Sequence, residues 1–410
     1  MIPYGRHDIS EADIDAVVEV LRSDFLTQGP IVPRFEQALV DYCGGQNGVA
    51  VNSATSALHL ACLALDLGLG DWLWTSPNSF VASANSALYC GAKIDFVDID
   101  PFTYNLCPEK LEQKLKQAEK KGALPKIVMP VHFAGQPCNM PAIHSLSLKY
   151  GFKIIEDASH AIGASYSNAI DNKSFPNITG GSDTATSQPI QIKVGSCTHS
   201  NITVFSFHPV KIITAGEGGI AMTNDAMLAN RMRRLRTHGV TNHRKLMHPR
   251  PDNEIWNYQQ IELGFNYRMT DIQAALGLSQ LQRLDEFVKC RHKIAEQYDS
   301  KLKSLPIITP HQAANSYSSY HLYPIRVREI LCGKTQQRVH AVLWENNVAA
   351  NIHYIPIHRH PYFENLGFKV GDYSEAEQLH REVLTLPIFP TMMKKDILCV
   401  IQALKVALTT

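Results

Sequence analysis

Short apolar runs separated by helix-length stretches fill the first half of the chain, and this alternation restricts the fold more than any other feature. The runs include Gly48-Val49-Ala50-Val51, Ile94 to Val97, Ile127-Val128-Met129, Lys153-Ile154-Ile155 and Ile202 to Phe205. Between them, Thr55 to Leu67 places Leu58, Cys62 and Leu65 on one stripe, and Ser79 to Tyr89 and Met140 to Tyr150 have similar helical spacing. A strand that is apolar throughout is covered on both faces, and a helix-length connection returns the chain to start the next strand in parallel. The pattern therefore predicts an α/β domain of parallel βαβ units reaching to about residue 225.

The rest of the chain adds detail. Ser10 with Asp13 three residues on signals an N-terminal helix, and a second helix follows Pro33. Residues 167 to 201 are rich in Asn, Ser, Thr and Gly and are expected to form a long polar surface loop. From Thr270 to about Leu302, apolar residues recur at threes and fours, as in one long helix joining two lobes. Beyond it, Tyr323 to Val327, a helix near Gln336 to Asn346, strand-like Ala349 to Tyr354 and a terminal helix from Lys394 to Ala407 suggest a smaller α+β lobe. We expect a large domain over 1–255, and a linking helix with a small C-terminal domain over 256–410.

Composition narrows the class. The chain has 39 Lys plus Arg against 38 Asp plus Glu, a balance that argues against a surface built for nucleic acid. No run approaches the roughly 18 apolar residues of a membrane span, and the first residues lack the basic-then-apolar order of a secretory signal. Nine cysteines, none in a Cys-x-x-Cys pair, read as small buried hydrophobes of a reducing compartment, so a cytoplasmic location is expected.

Four sites carry chemistry, each with a bland alternative. Asn52-Ser53-Ala54-Thr55-Ser56 follows a strand and opens a helix. Its free N–H groups and hydroxyls suit a phosphate, although any strand-to-helix turn with a cap looks similar. Glu156-Asp157-Ala158-Ser159-His160 stands at the carboxyl end of a strand, where open α/β sheets hold ligands; Asp157 is equally readable as a helix cap. Lys211 lies between apolar strands, and a glycine-rich turn from Gly216 follows it. Most lysines are merely solvated, but a desolvated one has the lowered basicity that Schiff-base chemistry needs. Phe80 either stacks on a flat cofactor or packs in the core. Jointly, a phosphate cradle, a stacking ring, a carboxylate for a ring nitrogen and a lysine for an aldehyde are what pyridoxal phosphate asks of a protein.

Leu26-Thr27-Gln28-Gly29-Pro30, the Asn52 to Leu58 run, Glu156 to His160, Ser206-Phe207-His208-Pro209-Val210-Lys211 and Gly264 to Met269 resemble the signature blocks of DegT-type nucleotide-sugar aminotransferases. The likeness runs from Pro3 past Pro390. It implies the fold-type I aminotransferase fold, with a mixed, mostly parallel sheet flanked by helices, a smaller α+β C-terminal domain, and a homodimer with shared active sites. It also implies that Lys211 and Asp157 are catalytic, the one bonded to pyridoxal phosphate and the other paired with its ring nitrogen. Ala54, Thr55 and Ser206 would hold the phosphate with Ser56 beside them, Phe80 would stack on the ring, and His160 would lie near its hydroxyl. Asn266 would reach the neighbouring subunit's cofactor, and Thr27, Gln28, His208 and Tyr354 would meet the substrate.

The Lys211 block is similar to enzymes that aminate C4 of a keto-sugar. His353-Tyr354-Ile355-Pro356-Ile357-His358 resembles the branch making UDP-4-amino-4,6-dideoxy-N-acetyl-altrosamine, toward pseudaminic acid. The implied activity is transfer of an amino group from glutamate to a UDP-linked 4-keto-6-deoxy-N-acetylhexosamine. Another nucleotide keto-sugar, or a non-catalytic regulator of the same fold, is the alternative. A sugar 3-dehydratase would carry histidine in place of Lys211. The 167–201 insertion is expected to drape over the entrance. His353, His358 and His360 match no zinc spacing, so no metal is expected. The cluster Arg231, Arg233, Arg234 and Arg236 is read either as a grip on a diphosphate or as a solvated helix face.

Overall fold

The computed structural model describes residues 1–168, 190–251 and 253–409. Its main sheet contains β1 (Asn47–Val51), β2 (Trp72–Thr75), β3 (Lys93–Phe96), β4 (Ile127–Met129), β5 (Lys153–Asp157), β8 (Ile202–Ser206) and β9 (Gly219–Thr223). The short strands β6 (Ser165–Ser167) and β7 (Gln191–Lys193) stand apart, with Ser316–Tyr317, in a three-stranded piece. The main sheet has the order β1-β9-β8-β5-β4-β2-β3. β9 runs antiparallel to β1 and β8, while the β2–β3, β2–β4, β4–β5 and β5–β8 pairs are parallel. The mixed, mostly parallel sheet implied by the family resemblance is thus present. The carboxyl ends of β1, β5 and β8 and the start of β9 all meet at one edge.

Both faces of the sheet are covered, as the uninterrupted apolar runs require. Ala50, Val128, Ile154 and Phe205 face one cluster, and Val49, Val51, Ile127, Ile155 and Val204 face the other. The C-terminal part contributes to the second cluster through Ile357, Phe363, Tyr373 and Leu379. A third cluster forms around Tyr298, Tyr323, Leu343, Leu384 and Leu404. Among the described residues, no helix is long and apolar enough to cross a membrane.

Helix α1 (Glu11–Leu21) has the expected box, with the Ser10 and Asp13 side chains capping each other's backbone N–H groups. Helix α2 (Ile31–Cys43) begins before Pro33 rather than after it, since a first-turn proline needs no N–H partner. Its true cap comes from afar: the buried Asp271 carboxylate accepts the N–H groups of Gly29, Ile31 and Val32 at 2.7, 2.8 and 3.2 Å. Helices α3 (Ala54–Ala64), α4 (Ala82–Tyr89), α5 (Pro108–Lys120), α6 (Met140–Tyr150) and α7 (Ala226–Leu235) follow.

Two expectations are corrected. The single helix over 270–302 is two, α8 (Asp271–Leu281) and α9 (Leu284–Leu302), broken at Gln282 and Arg283. There the Arg283 guanidinium turns to Asp8 (3.0 Å) and Asp13 (2.7 Å), tying the break to α1. The polar loop over 167–201 contains β7, whose Ile192 pairs with Tyr166, and Val194 and Cys197 are buried. Residues 169–189, and with them most of the expected drape over the entrance, lie outside the described residues.

Candidate active site

A cavity of about 730 Å³ opens where β1, β5 and β8 end. Ala54, Thr55, Phe80, Asp157, His160, Ser206, His208, Lys211 and Tyr354 line it, so most of the residues singled out from sequence converge. Strand β1 ends at Val51, and Ser53 caps α3 by accepting the Ser56 N–H at 3.1 Å. The N–H groups of Ala54 and Thr55 in the first turn have no intrahelical acceptor and face the cavity end of the sheet. Gly219 makes this approach possible, because a Cβ there would stand 2.5 Å from the Ala54 nitrogen. Ser56 does not line the cavity: its hydroxyl turns away to Asn52 Oδ1 (2.7 Å).

Asp157 is the last residue of β5 and is buried. No helix follows it, so the capping alternative fails. Its Oδ2 accepts from Ser83 Oγ (2.7 Å), which is also 2.7 Å from Ser79 Oγ. Its Oδ1 accepts from Ser159 Oγ (2.6 Å) and N–H (3.2 Å). Hydroxyl donors thus hold the carboxylate in one orientation. Lys211 enters from the turn after β8. Burial pushes its basicity down to about 8, and the negative charge of Asp157 opposes this without cancelling it. A substantial fraction of the amine is therefore neutral near physiological pH. Phe80 is 61 % exposed and lines the cavity, which rules out the core alternative.

A histidine cluster closes another side. His160 Nε2 meets the Tyr354 hydroxyl at 3.0 Å, and its ring lies 4.4 Å from that of His321. His353 lines the cavity, and its Nδ1 meets Thr385 Oγ1 at 2.9 Å. Burial, and then the charge of Lys211, hold His353 down to about 3, while His160 and His321 are kept well below the ordinary range chiefly by burial. These rings are neutral. Tyr4, Ser83, Ser159 and His321 were not singled out as site residues from sequence, since lone Ser or Tyr residues in ordinary elements carry no local signature; His353, read from sequence as a substrate contact or a solvated loop, lines the cavity.

Other candidates lie elsewhere. Thr27, Gln28 and Asn266 are exposed and do not line the cavity; Thr27 forms a β-bridge with Thr270, and Asn266 one with Thr237. The arginine cluster is neither a grip nor a free face. Arg231 pairs with Asp66, Arg234 with Glu262 and Arg236 with Glu36, while Arg233 donates to the Gly48 carbonyl at 3.2 Å. His358 is buried against Glu377 at 2.9 Å.

The residues present fit pyridoxal phosphate. The amine, carboxylate, helix start and exposed ring share one cavity, and the buried His160 Nδ1 beside them has no partner among the described residues. The profile of the DegT/DnrJ/EryC1/StrS aminotransferase family matches residues 7–405. The chain belongs to this family. It is therefore a pyridoxal-phosphate-dependent aminotransferase. It is 35 % identical over 407 residues to the spore coat polysaccharide biosynthesis protein SpsC of Bacillus subtilis, covering 98 % of this chain and 96 % of that one. The UDP-4-amino-4,6-dideoxy-N-acetyl-beta-L-altrosamine transaminase of Campylobacter jejuni is 34 % identical, with 97 % and 94 % covered. Among solved structures, PseC of Helicobacter pylori, an aminotransferase of pseudaminic acid biosynthesis, superposes with a TM-score of 0.84 at 27 % identity, over 99 % and 98 % of the two chains.

Proposed function

We propose that this aminotransferase moves an amino group from glutamate to C4 of a UDP-linked 4-keto-6-deoxy-N-acetylhexosamine. The observation that carries the reading is the shared wall of the cavity. Lys211 and Asp157 face His353 and Tyr354, which belong to the segment resembling the altrosamine branch. The names of the Campylobacter and Helicobacter relatives support the same substrate class.

Pyridoxal phosphate, when bound, supplies a carbonyl for the amino group and an electron sink for the bond broken at Cα. The Ala54 and Thr55 N–H groups with the Ser206 hydroxyl would hold its phosphate, Phe80 would cover one ring face, and Asp157 would keep its nitrogen protonated. With the cofactor bound, the Lys211 Nζ would be the group that takes the proton leaving the donor's Cα and hands it on within the cavity. Tyr354 and His160 orient polar groups at the far rim of the cavity. In this reading the chain is organised as domains 1–255 and 256–410, works in the cytoplasm, and forms a homodimer. The exposed Thr27, Gln28 and Asn266 face the partner's site or its substrate.

The test is incubation of purified protein with glutamate and a panel of UDP- and dTDP-linked keto-sugars, with NMR of the product at C4. Amination of the UDP-N-acetyl substrate well ahead of the others supports the proposal, and preference for a dTDP-sugar or one lacking the N-acetyl group refutes it.

A further inference from the structure

Behind the cavity floor lies a second carboxylate that this chemistry does not use. Glu156 precedes Asp157 on β5, so strand alternation turns its side chain to the opposite face. It is 1 % exposed. Its Oε1 accepts from Ser200 Oγ and, at 2.8 Å, from Thr203 Oγ1; its Oε2 lies 2.7 Å from His132 Nε2. Burial pushes its carboxyl up, but the three donors outweigh this and leave it below the usual range.

His132 is also fully buried, and its Nδ1 accepts the Cys138 N–H at 3.0 Å. That N–H takes the place a second ring proton would need, so the one ring proton sits on Nε2 and points at Glu156. Burial lowers the basicity of His132, whereas Cys138 and Glu156 together pull it up to about 10. The Cys138 thiol, however, points to the Val131 carbonyl (3.2 Å) while its N–H already fills Nδ1, so geometry decides for a neutral ring.

The partners of Glu156 come from the same two segments that hold Asp157. On one side the His132 N–H donates to the Asp157 carbonyl (3.1 Å) and the Asp157 N–H to the Pro130 carbonyl (2.9 Å). On the other, Asp157 pairs with Val204 of β8, next to Thr203. Glu156 therefore braces both flanks of the strand end. We propose that Glu156, held by His132, Ser200 and Thr203, is a positioning residue that sets the orientation of the Asp157 carboxylate in the cavity. This inference rests on the reading of Asp157 as partner of the cofactor's ring nitrogen.

A double-mutant cycle on cofactor affinity tests it, with pyridoxal phosphate titrated into the apoprotein and followed by absorbance. Glu156→Gln keeps the shape and removes the charge; it should weaken binding about tenfold in the wild-type background and less than about twofold in Asp157→Asn. Equal weakening in both backgrounds, or none in either, overturns the proposal. If Glu156→Gln does not fold, Thr203→Val removes a single donor, and about threefold weakening with the same dependence on Asp157 is expected. Additive effects alongside a weakened Asp157→Asn refute this inference alone. Asp157→Asn binding as tightly as wild type refutes the reading of Asp157, and this inference with it.

Discussion

The hydroxyl of Tyr354 meets Nε2 of His160 at 3.0 Å, joining two residues 194 positions apart in the wall of the cavity. Their rings lie nearly parallel, at 20°. The bond fixes the His160 ring and leaves its Nδ1 as the free polar atom. Tyr354→Phe keeps the packing and removes the bond. We expect a stability loss of about 1 kcal/mol and a fall in kcat of roughly tenfold. Steady-state kinetics beside a thermal melt check this; unchanged kcat would show that the hydroxyl does not act through His160.

Lys211 sets the pH response. Its amine is protonated below about 8 and neutral above it, compared with 10.5 for an ordinary lysine. Only the neutral amine would react with a cofactor aldehyde, so the rate of cofactor uptake by the apoprotein should rise with pH and level off above about 8. A rise continuing toward pH 10 would mean that burial does not tune this amine. Lys211→Ala should retain the fold by circular dichroism and lose turnover altogether.

Asp157 owes its orientation to hydroxyl donors, and the contributions should separate. Asp157→Ala removes a buried charge partner, a change that commonly costs several kcal/mol, so turnover should drop by orders of magnitude. Ser83→Ala removes one bond to the carboxylate and should cost about 1–2 kcal/mol, or roughly tenfold in kcat. If Ser83→Ala matches wild type while Asp157→Ala is dead, the serine pair does not orient the carboxylate.

The start of β9 has no room for a side chain. Gly219→Ala places a Cβ 2.5 Å from the Ala54 nitrogen and 2.7 Å from the Ser53 carbonyl carbon. The α3 N-terminus must shift, at a cost of about 1–3 kcal/mol. We expect a lower melting temperature and weaker binding of pyridoxal phosphate, measured by equilibrium dialysis. A melt and affinity equal to wild type would show that the turn yields freely.

Lys211, Asp157, His160 and the Ala54–Thr55 turn were legible in the sequence because each follows an apolar strand and together they match the needs of one cofactor. Ser83 was not, since a serine inside α4 gains meaning only when folding brings it to a strand 74 residues away. His321 likewise reaches His160 only through tertiary packing. Ser56 does not line the cavity, because its hydroxyl bonds Asn52, a partner that local spacing does not reveal. The break between α8 and α9 escaped periodicity for a similar reason, as Arg283 is drawn to Asp8 and Asp13, more than 260 residues away.

Ile255, Trp256, Tyr258 and Leu263 leave large apolar side chains in solvent, with Trp256 72 % and Leu263 78 % exposed. Such a cluster on one short segment marks a surface that a protein partner covers. It directly precedes Asn266, which we propose reaches the neighbouring subunit's site, so the proposed cover is a second copy of the chain. Trp256→Glu with Leu263→Glu places two charges in that contact and should convert a dimer into monomers in sedimentation equilibrium. Turnover should fall with the dimer fraction, because Asn266 would no longer reach the opposite cavity. A double variant that sediments and turns over like wild type would place the dimer contact elsewhere.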